Sequence, residues 1–136
     1  MWAGESTLIL SGELICRRYR CGCNHELLSL TKTQLLTCAH LVSGLFCNAD
    51  RLAKASELPD ALGDPVVARQ RFSRLRDALA PFDVDILNDH RGSYRLPLSR
   101  RNVTLDDSFW QAPALKAMSQ KASSALKEAY DRYRRG

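Results

Sequence analysis

Two groups of residues in this 136-residue chain have types and spacings that could do chemistry. The stretch CRRYRCGCNHE, residues 16–26, brings Cys16, Cys21, Cys23 and His25 together. Zinc prefers four sulfur or nitrogen ligands, so a metal centre is the sharpest use of these four. Cys-x-Cys-x-His, however, is not a standard zinc spacing. Gly22 supplies the positive φ that a tight turn needs. The expectation is therefore a basic hairpin that carries thiols, with no metal and no other cofactor.

The second group lies in VVARQRFSRLRDAL, residues 66–79. Ala68, Phe72, Leu75 and Leu79 recur at spacings of four, three and four, the stripe a helix buries. Burying that stripe turns Arg69, Arg71, Ser73, Arg74 and Arg76 to solvent. At 1.5 Å per residue these arginines span roughly 10 Å, a length suited to the major groove of DNA. Downstream, NDHRGS puts His90, Arg91 and Gly92 at the tip of a β-hairpin. An isolated arginine-rich helix is usually only a solvated face; a second basic element beside it favours duplex DNA.

Composition agrees with this without requiring it. Twenty Lys+Arg against fifteen Asp+Glu give a net charge of +5, and most of the basic residues are arginine, which suits phosphate contacts. No apolar run approaches a membrane span. MWAGESTLIL has no basic leader pattern, and five cysteines form an odd set, so reduced thiols and a cytoplasmic location are expected. Ser/His/Asp constellations, paired carboxylates and phosphate-cradling glycine motifs are not recognisable, so no enzymatic activity is expected. DVD (83–85) and LDD (105–107) read as a strand edge and a helix cap.

Strand-like pieces TLIL, ELICRRYR and HELLSL over residues 7–30 predict a small antiparallel sheet. Thr31 and Gln34 form a capping-box pattern for a helix over about 32–43, with Leu35, Cys38, Ala39 and Val42 inward and Gly44 as its stop. Asn48 is expected to cap a second, short helix that turns Leu52 and Ala53 inward. Cys38 and Cys47 read as small core hydrophobes. The 66–79 helix comes third, ended by Pro81, and FDVDILNDHRGSYRLPL gives the hairpin. The predicted fold is α+β: a winged helix-turn-helix with an N-terminal antiparallel sheet over 1–98. Residues 99–136 add a linker, NVTLDDSFWQAP, and one long C-terminal helix.

LTKTQLL, LFCNADRLAKA, VVARQRFSRLRDAL and ILNDHRGSYRL together resemble the winged-helix DNA-binding domain of OmpR/PhoB-type response regulators, without the receiver domain. The resemblance covers about residues 7–97, and FSRLR and HRGSYRL are its most specific parts. It implies that Arg74 enters the major groove, that Arg76 faces the DNA backbone and that Arg91 is the wing arginine of the minor groove. Gln34 and Ala78 depart from the Glu and Lys of that pattern, and the wing is one residue shorter. A domain of this kind followed by helices, with TLDDSFWQAPAL at the junction, is also similar to actinobacterial antibiotic-regulatory activators.

The expected function is a sequence-specific, double-stranded DNA-binding transcriptional regulator. The alternative is a protein-interaction adaptor that binds RNA polymerase or another regulator and does not read the groove. In the tail, Leu115, Met118, Ala122, Ala125 and Ala129 make a seam of mostly small residues, widened by Leu126, Tyr130 and Tyr133. It can pack back with Phe109 and Trp110 as anchors, or mediate a homodimer. For the thiols, reduced purified protein should contain no stoichiometric zinc by elemental analysis. Cys21→Ser with Cys23→Ser should melt like the parent, and one equivalent of zinc lost in that variant would contradict the hairpin reading.

Overall fold

Strand β1, Thr7–Ser11, alternates half-buried and buried positions, and Leu8 and Leu10 are fully enclosed. That period of two is what a strand with one face on a core produces. The computed structural model describes residues 7–11, 14–18, 25–89 and 91–136 of the chain. β1 pairs antiparallel with β2, Leu14–Arg18, and β2 with β3, His25–Ser29, in the register Cys16 opposite Leu27 and Arg18 opposite His25. The paired strands β2 and β3 flank the thiol-bearing stretch. Its Cys21 and Cys23 lie outside the described residues, as does His90.

Helix α1, Lys32–Cys47, starts at the expected capping box: Thr31 Oγ1 accepts from the Gln34 N–H and Gln34 Oε1 from the Thr31 N–H. It does not stop at Gly44. A Cβ there would lie 2.7 Å from the Leu52 carbonyl oxygen, so this glycine serves a close backbone crossing instead of ending the helix. Nor is the buried face a single stripe. Leu36, Leu41, Leu45 and Phe46 are buried along with Leu35, Cys38, Ala39 and Val42, because neighbours cover α1 on several sides. Cys47, expected in the core, is exposed at the last turn.

The short second helix is absent. Asn48 is the C-cap of α1, its N–H bonded to the Gly44 carbonyl, while its side-chain amide donates to the Leu52 carbonyl at 2.7 Å. Asp50 Oδ1 accepts from the Leu52 N–H, and Arg51 takes a left-handed φ of 63°. These side-chain-to-backbone bonds favour a turn over a helix. The chain leaves the turn as β4, Ala53–Lys54, followed by one 3-10 turn at Ala55–Glu57.

Helix α2, Pro65–Leu79, is capped by Asp64, whose carboxylate accepts from the Val66 and Val67 N–H groups, with Pro65 in the first turn. It buries Ala68, Phe72, Leu75 and Leu79, as the spacing predicts. The chain continues through a 3-10 turn into the hairpin of β5, Leu87–Asn88, and β6, Ser93–Arg95. β6 also pairs with β4, giving a three-stranded sheet ordered β4-β6-β5.

The C-terminal third differs most from expectation. Inside the expected linker, Val103–Leu105 form β7, parallel to β1 and facing Leu8 through Leu10, so the first sheet runs β3-β2-β1-β7. Three residues are too few for a period to show, and their partner lies far back in the chain. Asp106 then caps the short helix α3, Asp107–Trp110, as read from LDD. The long tail helix is broken: Pro113–Ala117 form a 3-10 turn, and α4, Gln120–Arg135, begins where the Ser119 hydroxyl accepts from the Ala122 N–H. α4 packs back on α1. Leu126 and Tyr130 are buried, Ala125 is exposed, and Tyr130 meets Phe46 edge-on at 5.2 Å. The Tyr130 hydroxyl accepts from the Leu105 N–H at 3.0 Å, tying α4 to β7. Among the described residues no helix is long and apolar enough to cross a membrane.

Gly44→Ala tests the crossing by its sign. Helix propensity alone would favour alanine by about 1 kcal/mol. The blocked approach of Leu52 should outweigh this and leave the variant about 1–3 kcal/mol less stable in urea unfolding.

Candidate nucleic-acid interface

With its apolar stripe buried, α2 exposes Arg69, Gln70, Ser73, Arg74 and Asp77, while Arg71 and Arg76 are half-buried at its flanks. Phe72 stacks on Tyr94 of β6, centroids 3.9 Å apart and planes 11° from parallel. This contact locks the helix to the hairpin at their shared base. Arg76 is partly used by the fold. Its Nη2 donates to the Ile86 carbonyl at 2.8 Å and its Nε lies 3.3 Å from the Asp85 carboxylate, bracing α2 against the segment that leads into β5. Asp85 is well exposed and Arg76 partly so, and the pair therefore orients more than it stabilises.

The hairpin tip is built by a residue the sequence did not single out. Asp89 Oδ1 accepts from the backbone N–H of Arg91 at 2.9 Å and of Ser93 at 3.0 Å. An aspartate bonding the backbone two residues on is a turn device, and the Asp-x-Arg-Gly spacing was its available signal. Gly92 has φ +83°, and its carbonyl accepts from the Ala55 N–H, anchoring the tip to the turn after β4. Arg91 is left exposed beside it.

On the opposite flank of α2, Arg71 and Arg74 face the start of α1. Together with Thr31, Thr33 and Gln34 they line a concavity of about 390 Å³. Among the described residues, the side chains of Arg69, Arg71, Arg74 and Arg91 form no ion pair, whereas the tail pairs Arg132 with Glu128 and Lys127 with Asp131. The structure therefore places four of the arginines read from sequence on two flanks of α2, with Ser73 exposed, and the fifth, Arg91, on the hairpin that packs against it; of the five, only Arg76 is committed to the fold. His90 lies outside the described residues.

Behind this surface, His40 of α1 donates from Nε2 to the Lys54 carbonyl at 2.8 Å and sits tilted against Phe72 at 6.5 Å. It links α1, β4 and α2, and sequence inspection left it among scattered histidines. Burial lowers its pKa, partly offset by the Lys54 carbonyl and the Glu57 carboxylate. Burial likewise pushes the Cys38 thiol up to about 12, so this sulfur is an inert core group. Asp106 is desolvated, yet hydrogen bonds from Ser108, Ser11 and the Phe109 N–H hold its carboxyl below the usual range. Among the described residues no three His, Cys, Asp or Glu side chains stand together as a metal site.

No protein-family model matches this chain, and neither does any curated protein or solved structure.

The His40 geometry sets a pH dependence. Its folded pKa lies below the unfolded value of 6.5, so its neutral form contributes stability above that pH and loses it as the pH falls. Chemical unfolding between pH 7.5 and 5 should show stability dropping with acid. His40→Gln should flatten the drop, and an identical pH profile in that variant would contradict the assignment.

Proposed function

We propose that this chain is a sequence-specific, double-stranded DNA-binding transcriptional regulator, built as a winged helix-turn-helix of the OmpR/PhoB type and working in the cytoplasm without a cofactor. In this reading α2 enters the major groove and the β5–β6 hairpin is the wing, with Arg91 at the minor groove. One observation carries it. The Phe72–Tyr94 stack fixes an exposed, arginine-flanked helix and an arginine-tipped hairpin to one base. A helix about 10–12 Å across fits a major groove about 12 Å wide. Beyond Gln34, Ala78 and the shorter wing, the pattern departs from the family's in that the first helix of the turn-helix pair is only the 3-10 turn Ala55–Glu57.

A protein partner is favoured by a separate feature. Leu62 is 96% exposed with φ 54°, just before α2. An apolar side chain held out in a left-handed turn suits contact with RNA polymerase or another regulator bound next to the DNA. The adaptor alternative is the case in which this contact operates without groove reading. A homodimer through α4 would have to use its outer, charged side, since Leu126 and Tyr130 already face α1.

Salt-dependent binding to random-sequence duplex separates the readings. Four uncommitted arginines, each displacing a counterion, should give a slope of log affinity against log salt of about −4. Arg91→Ala should bring that slope about 1 closer to zero. No salt-sensitive duplex binding would leave only the adaptor.

A further inference from the structure

The exposed apex of α2 is not made of arginines. At about 100° per residue, Val66, Gln70, Ser73 and Asp77 fall within about 60° of one another on the side away from the buried stripe, with Gln70 and Asp77 nearest its opposite point and Ser73 and Arg74 about equally far to either side. All four are exposed. The arginines straddle this apex in two rails. Arg71 and Arg74 lie on the α1 side, where they line the concavity with Thr31 and Thr33. Arg69 and Arg76, seven residues apart, lie on the opposite side, where Arg76 is held by Ile86 and Asp85. A helix in the major groove points its apex at the base edges and its flanks at the two phosphate walls.

We infer that Gln70 and Ser73, with Val66, are the base-reading residues of this chain, and that Arg69, Arg71 and Arg74 grip phosphates. This rests on the DNA-binding reading above and deepens it by naming what the site recognises. The chemistry of the apex is graded along the helix. Val66 offers methyl groups that suit the thymine methyl. The Gln70 amide carries a donor and an acceptor matched to N6 and N7 of adenine, and the Ser73 hydroxyl can serve either role. Asp77 can only accept, which suits the cytosine amino group. From Val66 to Asp77 is about 16 Å of helix axis, enough to follow four to five base pairs. The preferred duplex should therefore contain a fixed A·T pair opposite Gln70, inside a half-site of about that length. Guanine, the usual target of a groove-reading arginine, should not dominate it.

The test is selection of bound sequences from a random duplex library, first with the parent and then with Gln70→Ala, Ser73→Ala, Arg71→Ala and Arg74→Ala. All four positions are at least partly exposed, and a thermal melt of each variant beside its selection reports intact fold. The parent should enrich the A·T-centred half-site. Gln70→Ala should lose about tenfold or more of the preference at one base pair while its random-duplex affinity stays within about twofold. Arg71→Ala and Arg74→Ala should weaken selected and random duplex by the same factor, keep the motif, and each bring the salt slope about 1 closer to zero. The inference is overturned if Gln70→Ala and Ser73→Ala keep the parent motif, or if Arg74→Ala changes the preference at a base. If the parent binds no duplex, the proposed function itself fails, which the first selection alone reveals.

Discussion

The backbone crossing at Gly44 is the contact on which the placement of α2 and the hairpin depends. Leu52 and Ala53 pass so close to α1 that no side chain fits between them. The crossing sets where β4 lies, and β4 sets β6 through the pairs Ala53 to Tyr94 and Lys54 to Ser93. Tyr94 then stacks on Phe72, which orients α2. His40 closes the same loop of contacts from α1 by bonding the Lys54 carbonyl and touching Phe72. A shift of β4 by a few tenths of an ångström would move helix and hairpin together, because packed interiors transmit displacement instead of absorbing it.

The other side of α1 is closed by the C-terminal third. Arg100 donates to the Leu45 and Asn48 carbonyls, satisfying groups that the end of a helix leaves unpaired and placing a cation at its negative pole. Phe109 is fully enclosed, and Leu126 and Tyr130 nearly so. Each such burial is worth about 1.5–3 kcal/mol. Tyr130 adds a hydrogen bond to an amide of β7 that has no strand beside it. The tail thereby supports the helix that carries the crossing.

How much of this was legible in the sequence follows from how local each determinant is. The α1 capping box, the α2 stripe, the hairpin and the first three strands are encoded within a few residues, and each formed where its pattern lay. Gly44 looked like a stop because a glycine's need for close approach depends on Leu52 and Ala53, whose return to the helix no period announces. Strand β7 was hidden for the same reason: VTL becomes a strand only by pairing with β1. The tail seam overestimated helix because alanine and lysine favour it at every position, while the Ser119 cap interrupts it. At the candidate site the arginines were visible by type. That Arg76 is braced by Asp85, and that Gln70 and Ser73 stand at the apex, depended on the orientation of α2 in the fold.

The central claim is a helix in one groove and a hairpin in the next. Methylation protection reads both grooves in one experiment, since dimethyl sulfate modifies guanine N7 in the major groove and adenine N3 in the minor groove. On a duplex selected by this protein, the account predicts guanine N7 protection within a stretch of about five base pairs where α2 lies. Adenine N3 protection should appear about half a helical turn away, where Arg91 lies, and vanish in Arg91→Ala. Full occupancy with neither groove protected, or minor-groove protection that survives in Arg91→Ala, would contradict it.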